Sequence, residues 1–228
     1  MTDNINYNHI VDYLTKTLPD TKGQLKEMEE YAHENNVPII QKEVRCFLGM
    51  LMKYKTPGNV LELGTAIGYS SLFFSDYILP GCKITTFERD EDYYAIAKEN
   101  IKKAGKENVI DIVFGDAYEN VKKVTGTYDM IFMDANKSMY KYYYDTLFPH
   151  LNVGGIIVCD NILYKGMISN DDLAPRKQNT IITNIRDFLD FLSNNPKLET
   201  SIIPIGDGVS VSVKISELEI VHMKHKVE

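Results

Sequence analysis

Residues 59–71 carry the sequence NVLELGTAIGYSS, and this stretch decides the fold. Its apolar run, residues 60–63, predicts a short buried strand, and residues 69–78 predict a helix. Gly64 and Gly68 stand between the two and predict a tight strand-to-helix turn, where missing side chains let a ligand approach the backbone. The stretch therefore indicates an α/β sheet protein with a cradle of the kind that binds nucleotides.

The residues around this turn favour S-adenosylmethionine over a dinucleotide. Dinucleotide folds carry G-x-G-x-x-G, whereas Thr65 stands here where a second close glycine would be. Glu62 places a carboxylate beside the turn, which suits a ligand that has an amino-acid end and a positive charge. Residues 83–87 predict a second strand, and Glu88 at its end is suited to bind ribose hydroxyls. NAD is the second candidate, and a turn of this kind without any ligand is the structural alternative.

Length and composition indicate one soluble α/β domain. The chain has 228 residues, 44% of them hydrophobic and 25% charged, with a formal net charge of −7. This charge argues against DNA or other non-specific nucleic-acid binding. No apolar run approaches the ~18 residues of a membrane span, and the polar first eight residues predict no signal peptide. Cys46, Cys82 and Cys159 are expected to be buried reduced thiols, so we expect a cytoplasmic protein.

The chain divides into predicted helices at residues 1–56, an alternating core at 57–214 and a tail at 215–228, all within one domain. Seven strands are predicted, at residues 60–63, 83–87, 109–114, 129–133, 156–159, 200–205 and 209–214. Helices are predicted between most of them, at 69–78, 90–104, 138–147 and 177–193, and residues 152–155 predict a turn. Strand–helix alternation indicates a mostly parallel sheet with helices on both faces, and the closing hairpin adds one antiparallel strand. The N-terminal helices could pack on the sheet, form a lid or supply a dimer face.

Acidic or amide side chains end five of the predicted strands. They are Glu62, Glu88, Asp116, Asp134 and the pair Asp160 and Asn161. Ligands of open α/β sheets bind at the carboxyl ends of the strands. If the fourth and fifth strands are neighbours, the last three side chains offer hard oxygen ligands that suit Mg²⁺, Mn²⁺ or Ca²⁺. Capping of loops and helices is the alternative role for each of them taken alone.

Six motifs in order carry a family resemblance. They are VLELGTAIGYS from residue 60, FERD from 87, GDA from 115, MIFMDANK from 130, VCDN from 158 and IPIGDGVS from 203. Together they resemble the cation-dependent class I O-methyltransferases, the caffeoyl-CoA and catechol O-methyltransferase family, over residues 37–214. The resemblance implies a Rossmann-like methyltransferase fold, a homodimer, and S-adenosylmethionine with a divalent cation as cofactors.

The resemblance also implies roles for individual residues. The methionine part of the cofactor would be held by Glu62, Gly64 and Ser70, with a backbone contact from Ile40; the ribose by Glu88; the adenine by Asp116 and Ala117; and the cation by Asp134, Asp160 and Asn161. Asp134 would also contact the cofactor and be a catalytic residue together with Lys137. Lys137 matches the lysine beside the reacting hydroxyl, where it would accept the proton or stabilise the oxyanion. The cation would lower the pKa of that hydroxyl.

The methyl acceptor is the least determined part of the prediction. The chain has no tryptophan, whereas the animal and plant enzymes of the family use tryptophan near the substrate. The run DNILYKG from residue 160 and the IPIGDG motif resemble a bacterial subgroup that includes the tRNA 5-hydroxyuridine methyltransferase. We therefore expect 5-hydroxyuridine in tRNA as the acceptor, with a small catechol or a caffeoyl-CoA-like phenol as the alternative. A non-catalytic module that binds S-adenosylmethionine is a minor alternative.

A tRNA acceptor predicts a basic and aromatic substrate face. The candidate phosphate contacts are Lys137, Lys141, Lys165, Arg176 and Lys177, and the candidate stacking side chains are Tyr140, Tyr142, Tyr143, Tyr144 and Tyr164. Phosphate contacts position a nucleic acid, and aromatic rings stack on splayed bases. The alternative is that the lysines are a solvated surface and that the tyrosines pack a helix.

Overall fold

Seven strands form one mixed sheet, as seen in a computed structural model that describes residues 5–173 and 175–216. The strands are β1 (Val60–Leu63), β2 (Ile84–Glu88), β3 (Ile110–Phe114), β4 (Tyr128–Met133), β5 (Leu151–Asp160), β6 (Leu198–Ile203) and β7 (Val209–Lys214). Their order across the sheet is β3-β2-β1-β4-β5-β7-β6. Only β7 runs antiparallel to its neighbours, so the predicted sheet with one antiparallel strand is confirmed.

Helices cover both faces of this sheet, as predicted. Those in the described residues are α1 (Asn8–Thr17), α2 (Gln24–Asn35), α3 (Lys42–Lys55), α4 (Tyr69–Phe74), α5 (Glu91–Lys103), α6 (Ala117–Asn120), α7 (Tyr140–Leu147) and α8 (Asn179–Asn194). Buried side chains of α2 to α5 pack on one face, and those of α6 to α8 pack on the other. Strand residues alternate between the two cores: Val60 faces α2 to α5, whereas Leu61 and Leu63 face α6 to α8.

Local sequence signals explain several element boundaries. Asp90 caps α5 as predicted, because its carboxylate accepts hydrogen bonds from the backbone N–H groups of Asp92 and Tyr93. The predicted helix at 69–78 ends earlier, at Phe74. The predicted helix at 138–147 begins with a 3₁₀ turn (Lys137–Met139), and that at 177–193 follows a 3₁₀ turn (Arg176–Gln178).

The turn predicted at residues 152–155 is wrong, because these residues lie inside β5. Gly154 has a φ of +72°, and the pairing of β4 with β5 shifts register between Tyr128 and Met130. The two glycines therefore mark an irregularity within a long strand rather than a chain reversal. From Met130 onward the two strands pair in regular parallel register, which confirms that the fourth and fifth strands are neighbours.

The N-terminal helices differ in how far they are buried. α1 buries none of its residues, whereas α3 places Val44, Leu48 and Met52 in the core. Of the cysteines, Cys159 is buried as expected, but Cys46 and Cys82 are only partly buried, and all three are free thiols. No helix among the described residues is long and apolar enough to cross a membrane. The predicted tail lies outside the described residues beyond position 216.

Candidate functional site

A cleft of about 600 Å³ opens at the carboxyl ends of the first five strands. Its walls include Pro38, Ile39, Ile40, Gly64, Thr65, Ala66, Tyr69, Ser70, Glu88, Arg89, Asp90, Gly115, Asp116, Ala117, Asp134, Asn136, Lys137, Tyr143 and Asn161. The structure thus brings together all the predicted site residues except Glu62 and Asp160, which lie behind the cleft surface. This position is where ligands of open α/β sheets bind.

Gly64 lets two strand ends approach closely. It has a φ of +101°, and a Cβ at this position would lie 2.5 Å from the carbonyl oxygen of Asp134. The Asp134 N–H in turn donates to the carbonyl of Leu63 at 2.9 Å. A side chain at position 64 would therefore push the segment after β4 away from the turn after β1, which would separate the cofactor part of the cleft from Asp134.

Glu88 is held rigidly at the end of β2. One carboxylate oxygen accepts the backbone N–H of Ala66 at 2.7 Å, and the other accepts those of Arg89 and Asp90 at 2.9 and 2.8 Å. Asp116 follows β3, caps α6 through the Tyr118 N–H, and lies 3.4 Å from the Arg89 guanidinium. The ribose and adenine roles of these two acids stay predictions, and their side chains border the same cleft.

Glu62 lies behind the cleft surface, and its predicted contact with the methionine part of the cofactor stays a prediction. Its side chain is fully buried behind the glycine turn, where it accepts hydrogen bonds from the hydroxyls of Ser70, Ser71 and Thr86. Burial raises the pKa of its carboxyl from 4.5 to about 7, although the three hydroxyls oppose that rise. Ser70 does border the cleft, so its hydrogen bond connects Glu62 to this part of the site.

Four polar side chains lie together at the ends of β4 and β5: Asp134, Lys137, Asp160 and Asn161. The Lys137 ammonium lies 3.1 Å from Asp134 Oδ1. Asp160 is 2% exposed, and its carboxylate accepts the backbone N–H of Asn161 at 2.7 Å. Burial and the neighbouring Asp134 carboxylate raise the pKa of Asp160 to about 7. Burial also raises the pKa of Asp134, with Lys137 acting against the rise.

The chemistry of these side chains fits a hard divalent cation. Two adjacent carboxylates that repel each other gain most from a positive ion between them, and an amide oxygen completes an all-oxygen set. In residues 5–173 and 175–216, no group of three or more histidine, cysteine or carboxylate side chains is arranged so that it could hold a metal ion. A cation at this place therefore depends on the Asn161 amide as its third protein ligand. Asn161 has a φ of +55°, which turns the chain sharply just after Asp160.

Sequence reasoning missed the role of Tyr140. Its ring is fully buried, and its hydroxyl lies 3.1 Å from the carbonyl oxygens of both Met133 and Asp160. It therefore connects the ends of β4 and β5 directly beneath Asp134. Tyr144 is buried as well and bonds Asn195 through its hydroxyl. Because both rings are buried, the stacking role considered for Tyr140 is wrong, and the helix-packing interpretation of Tyr144 is confirmed.

The loop after β5 is fixed by the turn between β6 and β7. The backbone N–H groups of Ile162 and Leu163 donate to the carbonyls of Gly208 and Asp207, at 3.0 and 2.9 Å. Tyr164 and Lys165 both adopt a positive φ, 48° and 57°. Non-glycine residues in this conformation store strain that the surroundings must offset, and such strain concentrates at functional sites.

Comparison with known proteins places the chain in a family. Residues 16–215 match the O-methyltransferase family. A caffeoyl-CoA O-methyltransferase from Populus kitakamiensis is 32% identical over 211 residues, which cover 87% of this chain and 89% of that protein. A second, from Medicago sativa, is 31% identical over 221 residues and covers 92% of this chain and 88% of that protein.

Solved structures give the same result. A candidate caffeoyl-CoA O-methyltransferase from Staphylococcus aureus superimposes with a TM-score of 0.80 at 30% identity, covering 90% of this chain and 97% of that one. The SAH-bound methyltransferase PaMTH1 of Podospora anserina has a TM-score of 0.82 at 25% identity, covering 92% of this chain and 95% of that one. The matches support the family part of the resemblance and do not show the bacterial tRNA subgroup. The chain belongs to the O-methyltransferase family and is an S-adenosylmethionine-dependent O-methyltransferase.

Proposed function

We propose that the chain methylates a phenolic hydroxyl that has a second oxygen beside it, as in a catechol or a caffeoyl-CoA-like ester, with the help of a divalent cation. One observation carries the proposal. A single cleft joins the two acids at the ends of β2 and β3 to Asp134, Lys137 and Asn161 at the ends of β4 and β5. A cofactor bound along the first part would present its methyl group toward the second.

The protein's own groups account for most of the proposed mechanism. The cation would be held by Asp134, Asp160 and Asn161. When bound, it would lower the pKa of the phenol and so favour the ionised form. Lys137 lines the cleft. As an ammonium it would stabilise the phenolate oxygen, whereas only its neutral amine form could accept the phenol proton at Nζ. The oxygen then bonds to the methyl carbon as the carbon–sulfur bond breaks, and the sulfonium becomes a neutral thioether. The glycine turn and Glu88 would align the sulfonium for this in-line transfer.

The acceptor prediction is revised from tRNA to a phenol. Both curated relatives described above are caffeoyl-CoA O-methyltransferases. Two observations also argue against the predicted tRNA-binding surface. Lys141 is paired with both carboxylate oxygens of Asp145 at 2.7 Å, and the rings of Tyr140 and Tyr144 are buried. A small catechol needs neither a basic surface nor exposed rings, whereas RNA recognition uses both.

Methyl transfer from labelled S-adenosylmethionine tests the proposal. Catechols, hydroxycinnamoyl-CoA esters and tRNA lacking the wobble methoxy group are supplied in parallel with Mg²⁺, with and without chelator. We expect chelator-sensitive label in the phenols. Label in tRNA alone would overturn the proposed acceptor and restore 5-hydroxyuridine. Methyl transfer at the same rate with and without chelator would contradict the proposed need for a divalent cation.

The Asp160→Ala variant tests the proposed cation ligands. We expect turnover to fall more than about a hundredfold, while S-adenosylhomocysteine (SAH) still binds in calorimetry. Asp111→Ala is the matched control, because Asp111 is exposed and pairs with Lys83 at the far edge of the sheet. Equal turnover in both variants would contradict the cation site. The homodimer stays a prediction, which sedimentation of the wild-type chain can test.

A further inference from the structure

A polar cluster outside the cleft joins the N-terminal helices to the first turn of α4. Its centre is Glu29 of α2. The Tyr69 hydroxyl donates to one carboxylate oxygen of Glu29, and the Thr21 hydroxyl donates to the other at 2.7 Å. The Arg45 guanidinium of α3 lies 3.7 Å from the same carboxylate and donates to the Pro19 carbonyl at 2.7 Å. One acid thus connects α2, α3 and α4.

The cluster stands behind two walls of the cofactor cleft. Tyr69 lines the cleft and is the residue before Ser70. Residues 38–40, the segment that links the end of α2 to the start of α3, also line the cleft. Glu29 and Arg45 lie on the two helices that flank this segment, and Glu29 accepts a hydrogen bond from Tyr69. The contact therefore connects two parts of the cleft lining.

The charges in the cluster explain why an acid is needed. Arg45 is 7% exposed, and its Nε has no hydrogen bond, so the Glu29 carboxylate is the nearby negative charge that compensates it. A buried cation without such a partner is costly. Burial and Glu29 both raise the pKa of Tyr69, which keeps the phenol protonated as a donor. A neutral side chain at position 29 could bond Tyr69 or Thr21 but could not neutralise Arg45.

A second set of contacts fixes α2 over the cofactor turn. The Gln24 side chain donates to the Asn100 carbonyl at 2.7 Å, and the Asn100 side chain donates to the Ile67 carbonyl at 2.9 Å. Ile67 lies within the glycine turn that follows β1. The N-terminal helices are thus attached at two points to the elements that border the cofactor, and α2 and α4 pack directly on each other.

We propose that Glu29 is a positioning residue for the cofactor, which holds Tyr69 and the 38–40 segment at the spacing that S-adenosylmethionine requires. Glu29 acts through Tyr69 and does not line the cleft itself. Of the roles left open for the N-terminal helices, this assigns α2 and α3 to the cofactor site. The inference rests on the family's cofactor and is independent of which acceptor is methylated.

Calorimetric titration with SAH tests this role. Glu29→Ala and Tyr69→Phe should each raise the Kd for SAH about three- to tenfold, the cost of losing one preordered side chain at a binding site. The double variant should bind no more weakly than the weaker single variant, because both changes remove the same contact. Glu29→Gln, which keeps an acceptor for Tyr69, should recover part of the affinity. Glu30→Ala is the control, since Glu30 is 63% exposed and pairs only loosely with Lys26.

Steady-state kinetics separates positioning from general destabilisation. The KM for S-adenosylmethionine should rise in Glu29→Ala, while the KM for the acceptor stays unchanged. A lower melting temperature with an unchanged Kd for SAH would overturn the inference and leave Glu29 a packing residue. Fully additive effects in the double variant would also overturn it. If the wild type binds SAH but methylates no phenol, the proposed acceptor fails and this inference stands.

Discussion

Replacing Glu62 with glutamine should remove one pH-dependent loss of stability. Glu62 is fully buried, and burial raises the pKa of its carboxyl from 4.5 to about 7. The folded state therefore holds this proton more tightly than the unfolded state does. Below the pKa that Glu62 has in the unfolded state, its carboxyl is neutral in both states and its contribution to stability is complete. As the pH rises toward and through the pKa of the folded state, the buried side chain must ionise and that contribution is lost.

The size of the loss follows from the two pKa values. A difference of about 2.5 between them corresponds to about 3 kcal/mol of unfolding free energy, at about 1.36 kcal/mol for each pKa unit. About 2 kcal/mol of this loss falls between about pH 5 and pH 7.5, where the unfolded carboxyl is already mostly ionised. Glutamine cannot ionise, and its amide oxygen can still accept from Ser70 or Ser71. The variant should therefore lose less stability than the wild type over this interval.

Urea denaturation of both proteins at these two pH values measures the effect. The difference in unfolding free energy between variant and wild type should shift by about 2 kcal/mol in favour of the variant at the higher pH. Taking the difference cancels the titration of other groups, including Asp134 and Asp160. Glu30→Gln serves as the exposed control and should show no shift. A difference that stays constant between the two pH values would refute the ionisation of Glu62 in the folded state.

Two further variants test the geometry of the strand ends. Tyr140→Phe should lower stability by about 1–3 kcal/mol, because two buried carbonyls lose their donor, and should weaken Mn²⁺ binding followed by electron paramagnetic resonance. Tyr144→Phe removes a hydroxyl from the same helix away from the strand ends and should leave Mn²⁺ binding unchanged; equal binding by both variants would contradict this reasoning. Gly64→Ala should abolish SAH binding, since its Cβ would lie 2.5 Å from the Asp134 carbonyl oxygen. Gly81→Ala has a similar positive φ but open space around it, so retained SAH binding in both alanine variants would argue against the close approach at position 64.

The positions of the strand ends could be predicted because strands and helices alternate along the sequence. Once seven strands were assigned with helices between them, the carboxyl ends of parallel neighbours had to meet. This is why Asp134 and Asn161 line one cleft. The alternation of side chains along β1 was the part that motif reasoning overlooked. Glu62 lies between Leu61 and Leu63 and points to the opposite face of the sheet, toward α4, so its side chain is buried behind the cleft surface.

Contacts between residues distant in sequence could not be predicted from periodicity. Glu29 and Tyr69 are 40 residues apart. Tyr69 lies in the VLELGTAIGYS motif, but nothing in that motif indicates Glu29 as its partner. Tyr140 also lay in a run of tyrosines where nothing in the sequence separated core rings from surface rings. The error at residues 152–155 had a local cause, because Asn and two glycines commonly form turns. Here the strand accommodates them as an irregularity before it pairs regularly with β4.

The strand order divides the cleft into two ends that are formed by different strands and meet where β1 pairs with β4. Elements β1 to β3 and the helices between them form the end bordered by Glu88 and Asp116, whereas β4 to β7 form the end bordered by Lys137 and Asn161. The loop after β5 is supported by the β6–β7 turn. Gly206 of that turn lies against Gln41 and Val44, next to the 38–40 segment that lines the cofactor end. A change in the 161–167 loop or the 204–208 turn would therefore reach both ends of the cleft, so a variant made for a new acceptor needs a parallel measurement of SAH binding.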